Sequence, residues 1–319
     1  MKIYRSQSTD PYFNLATEEF FLKNSIDDLF MIYTNATSIV VGKHQNALAE
    51  INSCYCHEND IKVARRLSGG GTVFHDAGNV NFSIIQTVSG TDMINYQKFA
   101  SPIKESLQQL GLDVQFSERN DLIIDGLKIS GSAMHVFKQR VLAHGTLLFN
   151  ADLEKLSNAL KNSREKYTDK AIKSVKSKVA NLGDYLAKMK INGLIEHLIK
   201  TVGNNNSMID LDKNDISLIN KQIDNKYLTF DWVFGYSPKY QFATKVNAEA
   251  EIVLHVEKGI IQQVDLKNAP QENSSIQLLS NYLVGKKHEF SYLIADKYLQ
   301  EILESIPEYN LEKFCAEFF

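Results

Sequence analysis

Through the first half of the chain the apolar positions switch between a period of two and a period near 3.6, which predicts strands alternating with helices. "KIYRSQ" predicts a strand. Asp10 then caps a helix with Pro11 at its first position, running through "YFNLATEEFFLKN". "LFMIYTN" and "SIVVGKH" predict two short strands, and "ALAEINSCYCHEND" a helix. "IKVARRLS" alternates strictly: Ile61 and Val63 share a face with Arg65, while Lys62 and Ala64 share the other with Arg66 and Ser68. "TVFHDAGNVNFSIIQTV" predicts two strands around a turn, and "YQKFASPIKESLQQLG" a helix closed by Gly111. The next stretch is strand-rich, with a hairpin turn at Asp125-Gly126.

From Ala151 the pattern becomes helical in "ADLEKLSNALKN" and "LGDYLAKMKINGLIEHLIKTVG", separated by the basic segment "KYTDKAIKSVKSKVAN". Residues 203–217 predict a surface loop. A second hairpin turns at Lys258-Gly259, followed by three helical segments. The expected organisation is an α/β (α+β) chain. A large domain with mixed β-sheets and flanking helices spans residues 1–244, and a small α+β domain spans 245–319.

The totals constrain this picture. A length of 319 residues suits about two domains, and 44% hydrophobic with 23% charged residues is an ordinary globular composition. A net charge of −3 argues against a general nucleic-acid or membrane-surface binder, which needs a broad basic excess. No apolar run reaches the roughly 18 residues that span a bilayer, and "MKIYRSQSTDPYF" lacks the apolar stretch of a secretion signal. The three cysteines, Cys54, Cys56 and Cys315, are too few for a disulfide framework, so a reducing cytoplasm is expected. Cys54 and Cys56, placed two apart on the expected helix, point away from each other.

The stretch "RRLSGGG" (65–71) carries the first candidate chemistry. A Walker A loop needs Lys-Ser or Lys-Thr after its last glycine, and a dinucleotide fingerprint needs a helix there; Thr72-Val73 opens a strand instead. Two readings stay open. One is a tight turn with solvated arginines. The other is a bare-backbone floor of Gly69, Gly70 and Gly71 under an anion, with Arg66 and Ser68 facing it. Lys128 is the second candidate, sharing a strand face with Ser130 and Ser132 beside Gly131. It is either a surface lysine or a cation for a developing negative charge. His75, Asp76, Asn79, Asn81, Asn120, Asp121 and His144 interrupt apolar strands, where buried polar groups are usually hydrogen-bonded core residues. No metal-ligand spacing and no Gly-x-Ser-x-Gly elbow occurs.

In order and spacing, "ARRLSGGGTVFHDAGNVNFS", "NDLIIDGLKISGSA", "HGTLLFNADL" and "KAIKSVKSKVANL" resemble the lipoate-protein ligase A family, and "WVFGYSPKYQF…EIVLHVEKGIIQQV" resembles its C-terminal accessory domain. The resemblance implies a biotin-ligase-like fold and a two-step reaction. Lipoate and ATP give lipoyl-AMP and pyrophosphate; a lysine of an apo lipoyl domain then takes the lipoyl group. It implies that Arg66 and the backbone of Gly71, Thr72, Val73 and Phe74 hold the nucleotide, and that Lys128 bridges the acyl carbonyl and the α-phosphate. It places His75, Asn79, Asp121, Ser130 and His144 at polar pocket positions, beside Ser68, Gly69, Gly70, Gly131 and Ser132. Mg²⁺ arrives with ATP, with Asp121 as a further ligand. The implied partners are the glycine-cleavage H protein and 2-oxoacid dehydrogenase E2 subunits, served by a cytoplasmic monomer with no nucleic acid or membrane. His135 stands where some ligases carry an arginine, which would weaken nucleotide binding. The competing functions are a lipoyltransferase using preformed lipoyl-AMP, an octanoyl- or amidotransferase needing a pocket cysteine, a non-catalytic binder, and a biotin ligase.

Overall fold

The computed structural model describes residues 1–319 apart from 89–94, 161–162, 176, 205, 247–249, 269–273 and 308. Several expected segments run partly outside these residues: the end of the "ADLEKLSNALKN" helix, Lys176 of the basic segment, residue 205 of the 203–217 loop and parts of the 245–319 domain. The chain begins with β1 (Lys2–Arg5), α1 (Pro11–Asn24), β2 (Leu29–Tyr33), β3 (Ser38–Val41), α2 (Ser53–Glu58), β4 (Lys62–Arg65), β5 (Val73–His75) and β6 (Asn79–Thr87). It continues with α3 (Tyr96–Gln109), β7 (Gln115–Phe116), β8 (Leu122–Ile124), β9 (Leu127–Phe137), β10 (Arg140–Leu148) and α4 (Leu153–Ala159). The Asp10 side chain accepts from the Tyr12 amide, the N-cap that the sequence predicts for α1.

Seven strands form one mixed sheet in the order β1-β2-β6-β10-β9-β8-β7, with only β1 and β2 parallel. A second sheet of three strands, β4-β3-β5, lies apart from it. One face of the large sheet packs Val80, Phe82, Ile84 and Leu147 against Phe99, Ile103 and Leu107 of α3. Leu194, Ile195 and Leu198 of α5 (Ile191–Val202) complete that layer. Across the sheet, Met31, Ile85 and Leu142 meet Leu15, Phe21 and Leu22 of α1.

Beyond this lie β11 (Tyr167–Asp169), α6 (Lys213–Gln222), β12 (Tyr240–Lys245), β13 (Glu251–Glu257) and β14 (Ile260–Lys267). The chain closes with α7 (Ser274–Leu283), α8 (Phe290–Ile294), α9 (Lys297–Glu304) and α10 (Leu311–Phe318). The third sheet runs β11-β12-β13-β14. Phe242, Ile252, Leu254 and Ile261 pack under Leu279, Leu299, Ile302 and Phe314 as a core of its own. The expected boundary at 244/245 falls inside β12, before its last residue, and the sheet recruits β11 from well upstream. Both anticipated hairpins form, with positive φ at Asp125 and Gly126 and at Lys258 and Gly259. Among the described residues no helix is long and apolar enough to cross a membrane.

Four expectations change, the first being the second of the three C-terminal helical segments, which divides into α8 and α9 where Asp296 caps α9 by accepting from the Leu299 amide. The helix over "ALAEINSCYCHEND" shrinks to α2, because Asn52 caps it by accepting from the Tyr55 amide and Ala47 is tied instead to the Ser237 hydroxyl. The helix over 182–203 starts late. Gly183 donates to the Phe149 carbonyl, which docks a single turn at Leu182–Asp184 before α5 begins. The loop expected over 203–217 already contains the start of α6, capped by a reciprocal Asp212–Asp215 box.

Candidate functional site

A cavity of about 370 Å³ opens between the two N-terminal sheets. The large sheet contributes Tyr33, Asn81, Thr146 and Gly131; the small one contributes Val40 and His75. The glycine turn closes one side, and Ile172, Ser174 and Ser177 of the basic segment close another. Ser174 acts as a clasp. Its hydroxyl accepts from the Thr72 amide at 2.9 Å and from the Gln45 amide group at 3.0 Å.

The adjacent arginines divide as the strand period predicts, although neither is solvated. Arg65 is fully buried. Its guanidinium donates to the carbonyls of Gly42, Lys43, Gln45, Trp232 and Val233 and to the Ser237 hydroxyl. Arg66 faces the cavity, but donates to the carbonyls of Val40, Gly69 and Gly71 and to Ser68 Oγ, using four of its five N–H groups. It therefore shapes the turn more than it grips a ligand, and adds positive charge from beneath. Burial lowers both arginines to about 10, which leaves them charged near neutrality.

Close backbone contact fixes the turn. A Cβ on Gly42 would run into the Gly70 carbonyl, and Gly70 itself sits at φ +88°. Gly42→Ala is expected to displace the turn. Hydrogen exchange should show lost protection at the Thr72 amide, with a stability loss of about 1–3 kcal/mol.

Lys128 lines the cavity, but its expected partners do not all share its face. Strand β9 carries a bulge. Ile123 pairs with Lys128 while the next residue, Leu122, pairs with Ser130, so Ile129 is extra. The extra residue inverts the alternation beyond it. Gly131 and Ala133 face the cavity beside Lys128, whereas Ser130 turns inward, is 2% exposed and does not line it. Ser132 touches the rim and also a small cleft with Phe82, Phe99 and Met134. A Cβ on Gly131 would lie 3.0 Å from Lys128 Nζ, so the ammonium arches over this glycine. Asp121 holds it at 3.0 Å. The Lys128 backbone is pinned on both sides, donating to the Lys178 carbonyl and accepting from the Ala180 amide.

A polar chain, which reaches the cavity at Tyr33, Arg66 and His144, runs back from its wall to Glu18. Glu18 of α1, 1% exposed, accepts from Tyr33 and Ser83 and meets His144 Nδ1 at 2.9 Å. His144 Nε2 lies 2.6 Å from Ser68 Oγ, which in turn accepts from Arg66 Nε. With the proton on Nδ1 every donor finds an acceptor. Glu18, His144 and Ser68 form a triad-like line, but Ser68 is 1% exposed, is occupied by Arg66 and does not line the cavity. The line thus positions Arg66 and offers no accessible nucleophile. His75 accepts from Asn35 Nδ2, and burial beside Arg66 pushes it down to about 3, so it works as a neutral group.

Of the remaining expected residues, Gly70, Gly71, Thr72, Val73 and Asp121 reach the cavity. Gly69 does not line it. Phe74 packs into the small-sheet core, and Asn79 Nδ2 donates to the Phe74 carbonyl away from the cavity. Arg119 and Lys173 line the cavity as further cations, unassigned by the sequence because neither sits at a recognisable turn or period. His135 does not line it; burial and the nearby Lys43 lower its pKa, so it adds little positive charge. No cysteine lines it among the described residues; Cys54 Sγ instead donates to the Cys315 carbonyl, tying α2 to α10.

Known proteins match this architecture. Residues 10–203 match the lipoyl protein ligase A/B catalytic domain. The chain is 37% identical over 323 residues to lipoate–protein ligase 1 of Staphylococcus aureus, covering 99% of this chain and 96% of that one. A bipartite lipoate protein ligase, described with its E2 lipoyl domain from Thermoplasma acidophilum, is similar with a TM-score of 0.65 and 25% identity, over 74% of this chain and 96% of that one. A lipoate-protein ligase A bound with ATP gives a TM-score of 0.63 at 26% identity, over 74% of this chain and 98% of that one.

Proposed function

The chain belongs to the lipoyl protein ligase A/B family, and on that premise we propose that it activates lipoate with ATP as lipoyl-AMP and passes the lipoyl group to a lysine of apo lipoyl domains. The observation that carries this reading is the position of Lys128. Its ammonium arches over Gly131, within one cavity that the glycine turn closes on one side and Leu15, Tyr33 and Val40 line on another.

Adenylation brings a carboxylate to a triphosphate, and the two repel. Among the described residues Arg66, Arg119, Lys128 and Lys173 line the cavity, and these cations offset that repulsion against one lining carboxylate, Asp121. A carboxylate oxygen of lipoate attacks the α-phosphorus and pyrophosphate leaves. The acceptor amine then attacks the acyl carbon and loses a proton, and AMP departs with the bonding pair. On this reading Lys128 stabilises the acyl oxygen and the departing phosphate in both steps. The route needs no covalent enzyme intermediate, in keeping with the occupied Ser68 and the distant cysteines. Asp121 suits Mg²⁺, a hard cation that prefers carboxylate and phosphate oxygens, and the ion would offset charge on the phosphates.

Residues 245–319 are read as an accessory domain whose core also takes in Tyr167, Tyr240 and Phe242 from before that boundary, and H-protein and E2 lipoyl domains as the acceptors of a cytoplasmic monomer. His135, which does not line the cavity and whose pKa burial lowers, favours one second reading, a lipoyltransferase that uses supplied lipoyl-AMP and makes it slowly. The test is incubation with ATP, Mg²⁺, lipoate and an apo lipoyl domain, followed by intact mass and pyrophosphate release. Lipoylation with matching pyrophosphate is expected. Transfer from supplied lipoyl-AMP without pyrophosphate release from ATP would leave the transferase reading, and neither activity would refute both.

A further inference from the structure

Two buried polar side chains in the cavity have no partner. Asn81 is 1% exposed and Thr146 is 8% exposed. Both amide atoms of Asn81 and the hydroxyl oxygen of Thr146 lack any hydrogen bond. Other buried unpartnered groups exist, but among the described residues only these two line the cavity. A buried amide with neither end satisfied destabilises the free protein, so such groups in a native fold call for a ligand or a water.

Their place in the sheet indicates which part of a ligand they meet. Tyr33 pairs with Asn81, Asn81 with Thr146, and Thr146 with Gly131, in one row across β2, β6, β10 and β9. Side chains opposite each other on neighbouring strands stand about 4.5–5.5 Å apart. Lys128 Nζ lies 3.0 Å from the Cβ position of Gly131, at the end of this row. Lys128, Thr146 and Asn81 therefore stand in succession along the floor. Beyond Asn81 the walls turn apolar, with Leu15, the Tyr33 ring and Val40. A ligand with an apolar tail in that slot and its charged end at Lys128 brings its carboxyl group to the amide and the hydroxyl.

We propose that Asn81 Nδ2 and Thr146 Oγ1 form a carboxyl-binding subsite that holds one oxygen of the acid beside Lys128. This rests on the reading that a carboxylic acid is activated in this cavity. It assigns substrate-contacting roles to two residues that neither glycine-turn nor lysine-strand reasoning reaches. The pair also releases the penalty of its own burial when the acid enters, which couples carboxyl recognition to binding.

The test is direct binding by calorimetry, without turnover, of lipoate and of octanoate, which keeps the carboxylate and lacks the dithiolane. Asn81→Leu keeps the branched shape without hydrogen-bonding atoms, and Thr146→Val preserves shape. Each variant should bind both acids on the order of tenfold more weakly, as expected for a hydrogen bond to a charged group. Each should also melt no lower than wild type when free, because an unsatisfied buried group has been removed. Binding of both acids within about twofold of wild type would overturn the subsite. So would loss confined to lipoate, which would make the amide a reader of the dithiolane. A lower melting temperature in both free variants would make the pair structural and overturn it too. Pyrophosphate release by the wild-type protein is followed separately. Its absence would remove the ligase reading while leaving the binding result to stand for the subsite.

Discussion

Lys128→Ala should lower both lipoyl-AMP formation and transfer by a factor on the order of 10²–10³ while leaving the fold intact. The fold survives because the backbone at Lys128, bonded to Lys178 and Ala180, does the structural work there. The lost ion pair with Asp121 joins side chains that are 28% and 19% exposed, and solvent-screened pairs contribute about 1 kcal/mol or less. For a chain of this size that shifts the melting temperature by only about 2–4 °C. The chemistry fails because the ammonium over Gly131 is the cation beside the carboxyl position proposed above. Lys128→Arg should not rescue it, since a planar fork fits poorly where a compact charge arches over a glycine. Pyrophosphate release, intact mass and transfer from supplied lipoyl-AMP read the effect; activity within threefold of wild type would refute the role.

The second large effect concerns stability. Arg65→Ala should destabilise the protein by on the order of 3–5 kcal/mol and lower its melting temperature by roughly 10 °C. Arg65 bonds the carbonyls of Gly42, Gln45 and Val233 inside the protein, and truncation leaves each without this donor. An unsatisfied buried group costs about 1–3 kcal/mol, and native proteins hold only about 5–15 kcal/mol in total. Arg65→Lys should recover little, because one ammonium cannot fan out to carbonyls on two separate segments. Since Gly42 abuts Gly70, the same variant should loosen the glycine turn and weaken nucleotide binding as a secondary effect. Urea unfolding separates it from Arg66, whose removal acts first on the turn.

Much of the site was legible because its parts are local. The end of β4 could be read by period, so Arg65 and Arg66 were separated onto opposite faces without coordinates. The Asp125-Gly126 turn placed Lys128 near the start of a strand. The same period-two rule then misplaced Ser130, because a bulge at Ile129 depends on how β8 registers against β9, and that pairing leaves no mark in "LKISGS". Asn79 drew attention as a polar residue at a strand start, yet it satisfies the Phe74 carbonyl, while Asn81 two residues on reaches the cavity. Glu18 carries no signal in the sequence, yet α1 buries it against His144.

The sequence by itself determined what is encoded within a few residues: the capped α1, the two hairpins, the glycine turn that cannot be a Walker loop, and the motif set marking the family. Local sterics and hydrogen bonding settle these before the chain collapses. Only the tertiary structure decided which polar side chains share a cavity, that Arg65 is a staple and Arg66 a brace, and that Asn81 and Thr146 stand unpartnered beside Lys128. Those outcomes depend on strand register and on burial from elements far apart in the chain, which one-dimensional periodicity does not contain.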